Sequence, residues 1–235
     1  MTFKIASVSL RQHLCPEPML GRMTASVRFV VWGGDAGRAL AGRPRTGDRR
    51  PRGHVGGDLV DQAHTLQVSG RIWLSQGGFA EAIDCNRRAF DCYRTADHRS
   101  GQASALNSIG WIHSLAGEHE AAIASCEQAL DLMRAIGHRA GQADTLDSLG
   151  LAHHRLGRHA EAADLYDRAV ALYNTAGAAN TLVRLADPLL ATGDTEAAVH
   201  ALERASAAFE ELAHPSAAVV RDRLAGTRTA RRQDR

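Results

Sequence analysis

The stretches LNSIGWIHSLAGEHEAAIASCEQA (residues 106–129) and LDSLGLAHHRLGRHAEAADLYDRA (residues 146–169) lie 40 residues apart and share a skeleton. Leu106 and Leu146, Gly110 and Gly150, Gly117 and Gly157, Ala122 and Ala162, and Ala129 and Ala169 coincide. The same skeleton extends upstream as Leu66, Gly70, Gly77, Ala82 and Ala89. Downstream it recurs as Leu182, Ala186, Gly193, Ala198 and Ala205, out of phase by four residues. Self-similarity at a period of 20–50 residues marks a stacked array whose units bury their faces on one another.

Each unit reads as two helices. In the second copy Ala103, Leu106, Ile109, Gly110 and His113 fall at helical spacing on one face, and Gly117 ends that helix. A second helix starts near His119 and turns Ala122, Ile123, Cys126, Ala129, Leu130 and Met133 inward; Gly137-His138-Arg139 then breaks the chain. No run in the repeats alternates with period two, so strands are not expected there. The Gly110 and Ala122 columns stay Gly or Ala in every copy, which predicts close helix contact within each pair. Leu106, Ile109, Leu130 and Met133 fill the space toward neighbouring pairs.

This pattern resembles the tetratricopeptide repeat in a 40-residue form, over about residues 62–212. Leu149-Gly150 and Ala162-Tyr166-Ala169 fit the family pattern well. The family's Tyr position holds Trp73, His113, His153 and Leu189 instead, and a Gly-containing loop replaces its closing Pro. The resemblance implies an all-α, right-handed superhelical solenoid of about four helix-turn-helix units. Pro215 to Leu224 reads as a capping helix, with Pro215 in its first turn and Arg221 and Arg223 on a polar side. The expected organisation is a leader over residues 1–57, the repeat domain with its cap over 58–226, and a frayed basic tail over 227–235.

Residues 1–60 carry Lys4 and nine arginines against four acids, a net +6, which leaves −4 for the remainder of a chain of net +2. The Gly/Arg/Pro-rich stretch Arg38 to Gly57 is expected to be disordered, because it cannot bury enough apolar area to offset chain entropy. Three readings of the leader stand: an inert extension, a basic arm for nucleic acid or another polyanion, and a spurious start or remnant of an upstream domain. No aromatic residue interleaves with its arginines between Arg38 and Arg52, so base stacking is not suggested. The apolar run Phe29 to Trp32 is far shorter than a membrane span of ~20 residues. Cys15, Cys85, Cys92 and Cys126 form no Cys-x-x-Cys pair and read as reduced structural thiols, which suits the cytoplasm.

Several of the 12 histidines recur in register: His113 with His153, His119 with His159, His98 with His138. Equivalent positions in adjacent units are separated by at least about 8–10 Å of helix spacing, too far for a shared zinc ion. Half-buried packing is the expectation for His113 and His153, and no metal site or cofactor is expected. The chain has no His-Glu-x-x-His, no Gly-x-Ser-x-Gly and no phosphate-binding glycine loop, so no catalytic residues are assigned and the expected function is non-catalytic.

The family resemblance implies instead that the first helices of successive pairs line a concave groove for a peptide or a partner helix. By register, the groove residues are Gln67, Asn107 and Asp147 in one row, Arg71, Trp111 and Leu151 in another, with His154 and Arg155 completing it. The Asn107 amide can both donate to and accept from a peptide backbone. Trp111 either stands exposed as an anchor or packs against the next repeat. The junction Gly137 to Gly150 and the ending Leu212-Ala213-His214-Pro215 resemble repeat arrays at the C-terminal end of bacterial transcriptional activators and signalling ATPases. That implies the sensory or assembly part of a regulator; a stand-alone peptide sensor or a truncated fragment of a transcriptional regulator are the alternatives.

Overall fold

The computed structural model describes residues 54–173 and 175–233, so the expectations for residues 1–53 of the leader lie outside the described residues, as does Cys15; residues 54–57, expected to be disordered, already belong to the first helix. The described residues form helices and turns only: α1 (His54–Ser75), α2 (Phe79–Thr95), α3 (Arg99–Leu115), α4 (His119–Ala135), α5 (Arg139–Arg155), α6 (His159–Leu172), α7 (Thr175–Ala191), α8 (Thr195–Glu211) and α9 (Ser216–Gln233). Each packs chiefly on its neighbours in sequence, which makes an all-α superhelical solenoid of hairpins α1–α2, α3–α4, α5–α6 and α7–α8, with α9 laid on α8.

The glycine column after each first helix has a backbone reason. Gly77, Gly117, Gly157 and Gly193 stand at φ 78°, 84°, 75° and 83°, in the left-handed region that only glycine enters without cost. Each closes the same Schellman turn. In the second copy the Gly117 N–H donates to Ser114 and the Glu118 N–H to His113, five residues back. The second helices of three pairs end in the same way, with Asp97, Gly137 and Ala213 in the left-handed position.

The histidine after each of these residues begins the next helix. His98 Nδ1 accepts from the Gly101 N–H at 3.0 Å, and His138 Nδ1 from the Gly141 N–H at 2.9 Å. His214 Nδ1 accepts from the Ser216 N–H at 3.2 Å. The recurrence of His98 and His138 is therefore capping, the role usually held by Ser, Thr, Asp or Asn.

The small-residue columns are the contact between paired helices. A Cβ on Gly110 would stand 2.3 Å from Cys126 Sγ and 3.0 Å from the Ala122 carbonyl. One on Gly150 would meet the Tyr166 ring at 2.8 Å. Ala82, Ala122, Ala162 and Ala198 are fully buried, as are Ala89, Ala129, Ala169 and Ala205. Large side chains fill the spaces between pairs: Ile109 and Ile112 pack with Ile83, and Leu146 and Leu149 with Ile123 and Leu130. The last pair and the cap share a cluster of Leu182, Leu185, Leu202, Phe209, Val220 and Leu224.

One junction departs from the pattern. Helix α6 has 14 residues where α2 and α4 have 17, and it ends at an extended Tyr173 (φ −69°, ψ 151°) rather than a Schellman turn. This is the four-residue slip seen in the sequence. The helices after it keep their lengths, 17 residues each in α7 and α8, so the slip is absorbed at that junction alone. The cap also runs further than expected. Helix α9 continues through the segment expected to fray, to Gln233. Three ion pairs tie it back: Arg223 to Asp187 at 2.5 Å, Arg228 to Glu203 at 2.5 Å and Arg221 to Glu210 at 3.7 Å.

Candidate partner-binding groove

The first helices α1, α3, α5 and α7 stand side by side, because every second helix turns its alanine face against them from behind. Their free faces line a concave groove of about 930 Å³. Of the residues assigned to it by register, Gln67, Arg71, Asn107, Trp111 and Asp147 line the groove. Leu151, His154 and Arg155 do not. They sit one and two turns beyond Asp147 on α5, where His154 Nδ1 lies 3.1 Å from His159 Nδ1 across the α5–α6 turn. Burial and the neighbouring His159 hold the His154 imidazole below its ordinary value.

Asp147 is 5% exposed. It accepts from the Thr181 hydroxyl at 2.9 Å and pairs with the Arg184 guanidinium. Burial pushes its carboxyl above the usual range, against the opposing pull of Arg184 and the Thr181 hydrogen bond. The same guanidinium lies over Trp111, 5.2 Å from the ring centroid, a cation–π contact. One arginine on α7 thus reaches a carboxylate on α5 and an indole on α3. Trp111 is half-buried under it and lines the groove.

Nearby, the Tyr173 hydroxyl donates to Asp144 Oδ1 at 2.6 Å. Burial and that acceptor push the phenol's pKa up, so it stays a donor. At the other end the Tyr93 hydroxyl donates to Gln67 Oε1 at 2.9 Å. Val68, Leu74 and Ile112 supply apolar wall.

Thr181, Arg184, Tyr173, Asp144 and Asn180 were not assigned to the groove by sequence. A signal existed. Once the four-residue slip is applied, Thr181 falls in the column of Thr145, and Arg184 in that of Ser108 and Ser148. The thiols behave as packing groups. Cys85, Cys92 and Cys126 are free, and burial pushes the Cys126 thiol up to about 12. Among the described residues no group of three or more His, Cys, Asp or Glu is placed to hold a metal ion. His113 is buried, with Nδ1 2.5 Å from Glu118 Oε2, and His153 is half-buried. No described helix is long and apolar enough to cross a membrane.

Stacked helical hairpins with a groove along their first helices define a repeat protein of the protein-interaction class. Residues 61–135 and 101–175 match the tetratricopeptide repeat family, so this span carries repeats of that kind. No curated protein matches it. Among solved structures it is similar to a putative kinesin light chain from Podosopora anserina with nearly identical repeats of this type, at 18% identity and a TM-score of 0.61, over 76% of this chain and 89% of that one. It is similar to BtubC from P. vanneervenii, at 17% identity and 0.57, over 65% and 66%. It is also similar to a Rap protein complexed with competence and sporulation factor, at 16% identity and 0.59, over 68% and 46%. The chain thus spans just under two thirds of BtubC and under half of that Rap protein. At these identities the likeness is one of fold.

Proposed function

We propose that the chain is a non-catalytic scaffold that holds a peptide or a partner helix against α1, α3, α5 and α7, and serves as the sensory or assembly part of a bacterial regulatory protein in the cytoplasm. The observation that carries this reading is the groove itself. It is concave and large enough for several residues of a ligand, and it keeps Trp111 accessible on one side. The repeat class supports a protein partner, and the fold shared with the Rap complex supports a peptide.

The test is affinity capture with the full chain and with a Trp111→Ala, Asn107→Ala double variant of unchanged melting temperature. A partner retained by the first and lost by the second supports the reading. Partners bound equally by both would move binding off the groove. The second reading, a stand-alone sensor, predicts a heat-stable small peptide in the eluate in place of a protein.

A further inference from the structure

Resting on that reading of the groove, we propose that its occupant is an extended peptide segment with an acidic residue at one end, a basic residue about six positions away, and an apolar residue between them. Three observations set this chemistry.

First, the groove's charges are not equally available. Arg184 and Asp147 neutralise one another. Arg71, exposed on α1, has no ion-pair or hydrogen-bond partner among the described residues. Asp144, exposed on α5, has the Tyr173 hydroxyl but no cation. The groove thus presents an uncompensated positive charge at one end and a negative charge two helices away. Opposite charges on a ligand fit that order, and like charges oppose it.

Second, the wall between them carries apolar surface. Val68 on α1 and Trp111 on α3, the middle helix, lie on the way from Arg71 to Asp144, among the polar Ser104, Asn107 and Ser108.

Third, the amides of Asn107 and Asn180 point to free backbone. Asn107 takes only a long contact from Cys126 Sγ, at 3.8 Å to its carbonyl oxygen, so its N–H donors have no partner among the described residues. Asn180 has none there either. A helical ligand has already used its own N–H and C=O groups, whereas an extended one offers both.

The spacing follows from the fold. Two helix spacings of about 8–10 Å separate α1 from α5. Asp144 stands seven residues before Leu151, the register equivalent of Arg71, which adds about 10 Å along the helix at 1.5 Å per residue. The charges are then about 20 Å apart, which an extended chain at about 3.3 Å per residue spans in roughly six steps.

The test measures fluorescence anisotropy of labelled, end-blocked heptapeptides on the full chain at low salt, where exposed charges are least screened. The probes are Glu-Thr-Ser-Leu-Ser-Thr-Lys, its reverse, and the versions carrying Glu at both ends or Lys at both ends. One mixed-charge peptide is expected to bind at least about fivefold tighter than either like-charged one. In Arg71→Glu, whose exposed side chain leaves folding unchanged, the preference should pass to the peptide with two lysines. Equal binding of all four peptides, or a preference that survives Arg71→Glu, overturns the proposed chemistry while leaving a peptide groove in place. If no peptide binds, the inference fails, and partner capture by Trp111→Ala, Asn107→Ala then decides separately whether the groove fails with it.

Discussion

The two ends of the groove are built alike in backbone and differ in how their buried charge is held. On α5 and α7 the buried Asp147 is met by Arg184 and Thr181, and the exposed Asp144 by the Tyr173 hydroxyl. On α1 and α3 no buried ion pair stands in the wall: Gln67 is held by Tyr93 and Ser104, while Arg71 and the Asn107 amide N–H groups have no partners among the described residues. Buried groups that satisfy one another hold the wall in shape, and accessible groups left open, Arg71 and Asn107 at one end and Asp144 and Asn180 at the other, are offered to a ligand.

The largest effect should come from breaking the satisfied end. Asp147→Ala leaves the Thr181 hydroxyl buried and Arg184 without its carboxylate. Because Arg184 is 37% exposed, the loss should fall below the full value for a buried pair, at about 2–3 kcal/mol in denaturant unfolding. Arg71→Ala, at the open end, should stay within about 0.5 kcal/mol. Equal losses would erase the distinction between the ends.

Overfilling the shared backbone comes next. Ala122→Leu or Ala162→Leu should cost about 1–3 kcal/mol and lower the melting temperature by several degrees, since both sites are fully buried. An unchanged melt in both would contradict the close helix contact.

Titration sharpens the comparison further. The Asp147 carboxyl is raised in the folded state, so the folded protein binds more protons than the unfolded chain between the ordinary value and the raised one. Stability should therefore decline as pH rises through that window. Asp147→Asn, which keeps an acceptor for Thr181, should remove that decline; a decline of the same size in the variant would assign it to another group.

The smallest effect concerns the turns. Ala213 stands at φ 48°, where a Cβ is disfavoured. Ala213→Gly should stabilise by up to about 1 kcal/mol, and Gly137→Ala at the matching position should destabilise by a similar amount.

The hairpins and their close contacts were legible in the sequence because steric demand admits few residue types. A Cβ on Gly110 would collide with Cys126, and the Ala122 column is fully buried in every copy, so those columns repeat. The histidine caps were visible as a recurrence but not as a role. An imidazole Nδ1 can replace a Ser or Asp oxygen only when the turn before it aims the ring back at the helix, as the left-handed Asp97, Gly137 and Ala213 do. The register placed Gln67, Arg71, Asn107, Trp111 and Asp147 along the groove but carried on to Leu151, His154 and Arg155, past its end. The Arg184 bridge was not legible. It joins three helices 37 and more residues apart, and its geometry depends on how the α6–α7 junction absorbs four missing residues.

The final helix has a reach beyond its own contacts. Arg223 donates to the Val183 carbonyl at 3.2 Å and to Asp187 at 2.5 Å, so α9 occupies a carboxylate on α7 one turn from Arg184. Cutting α9 away would leave the Asp187 carboxylate without its arginine and strip Val220 and Leu224 from the cluster they share with Leu182, Leu185 and Leu202. The helix that carries Arg184 is thus steadied from outside by a segment that lines no part of the groove.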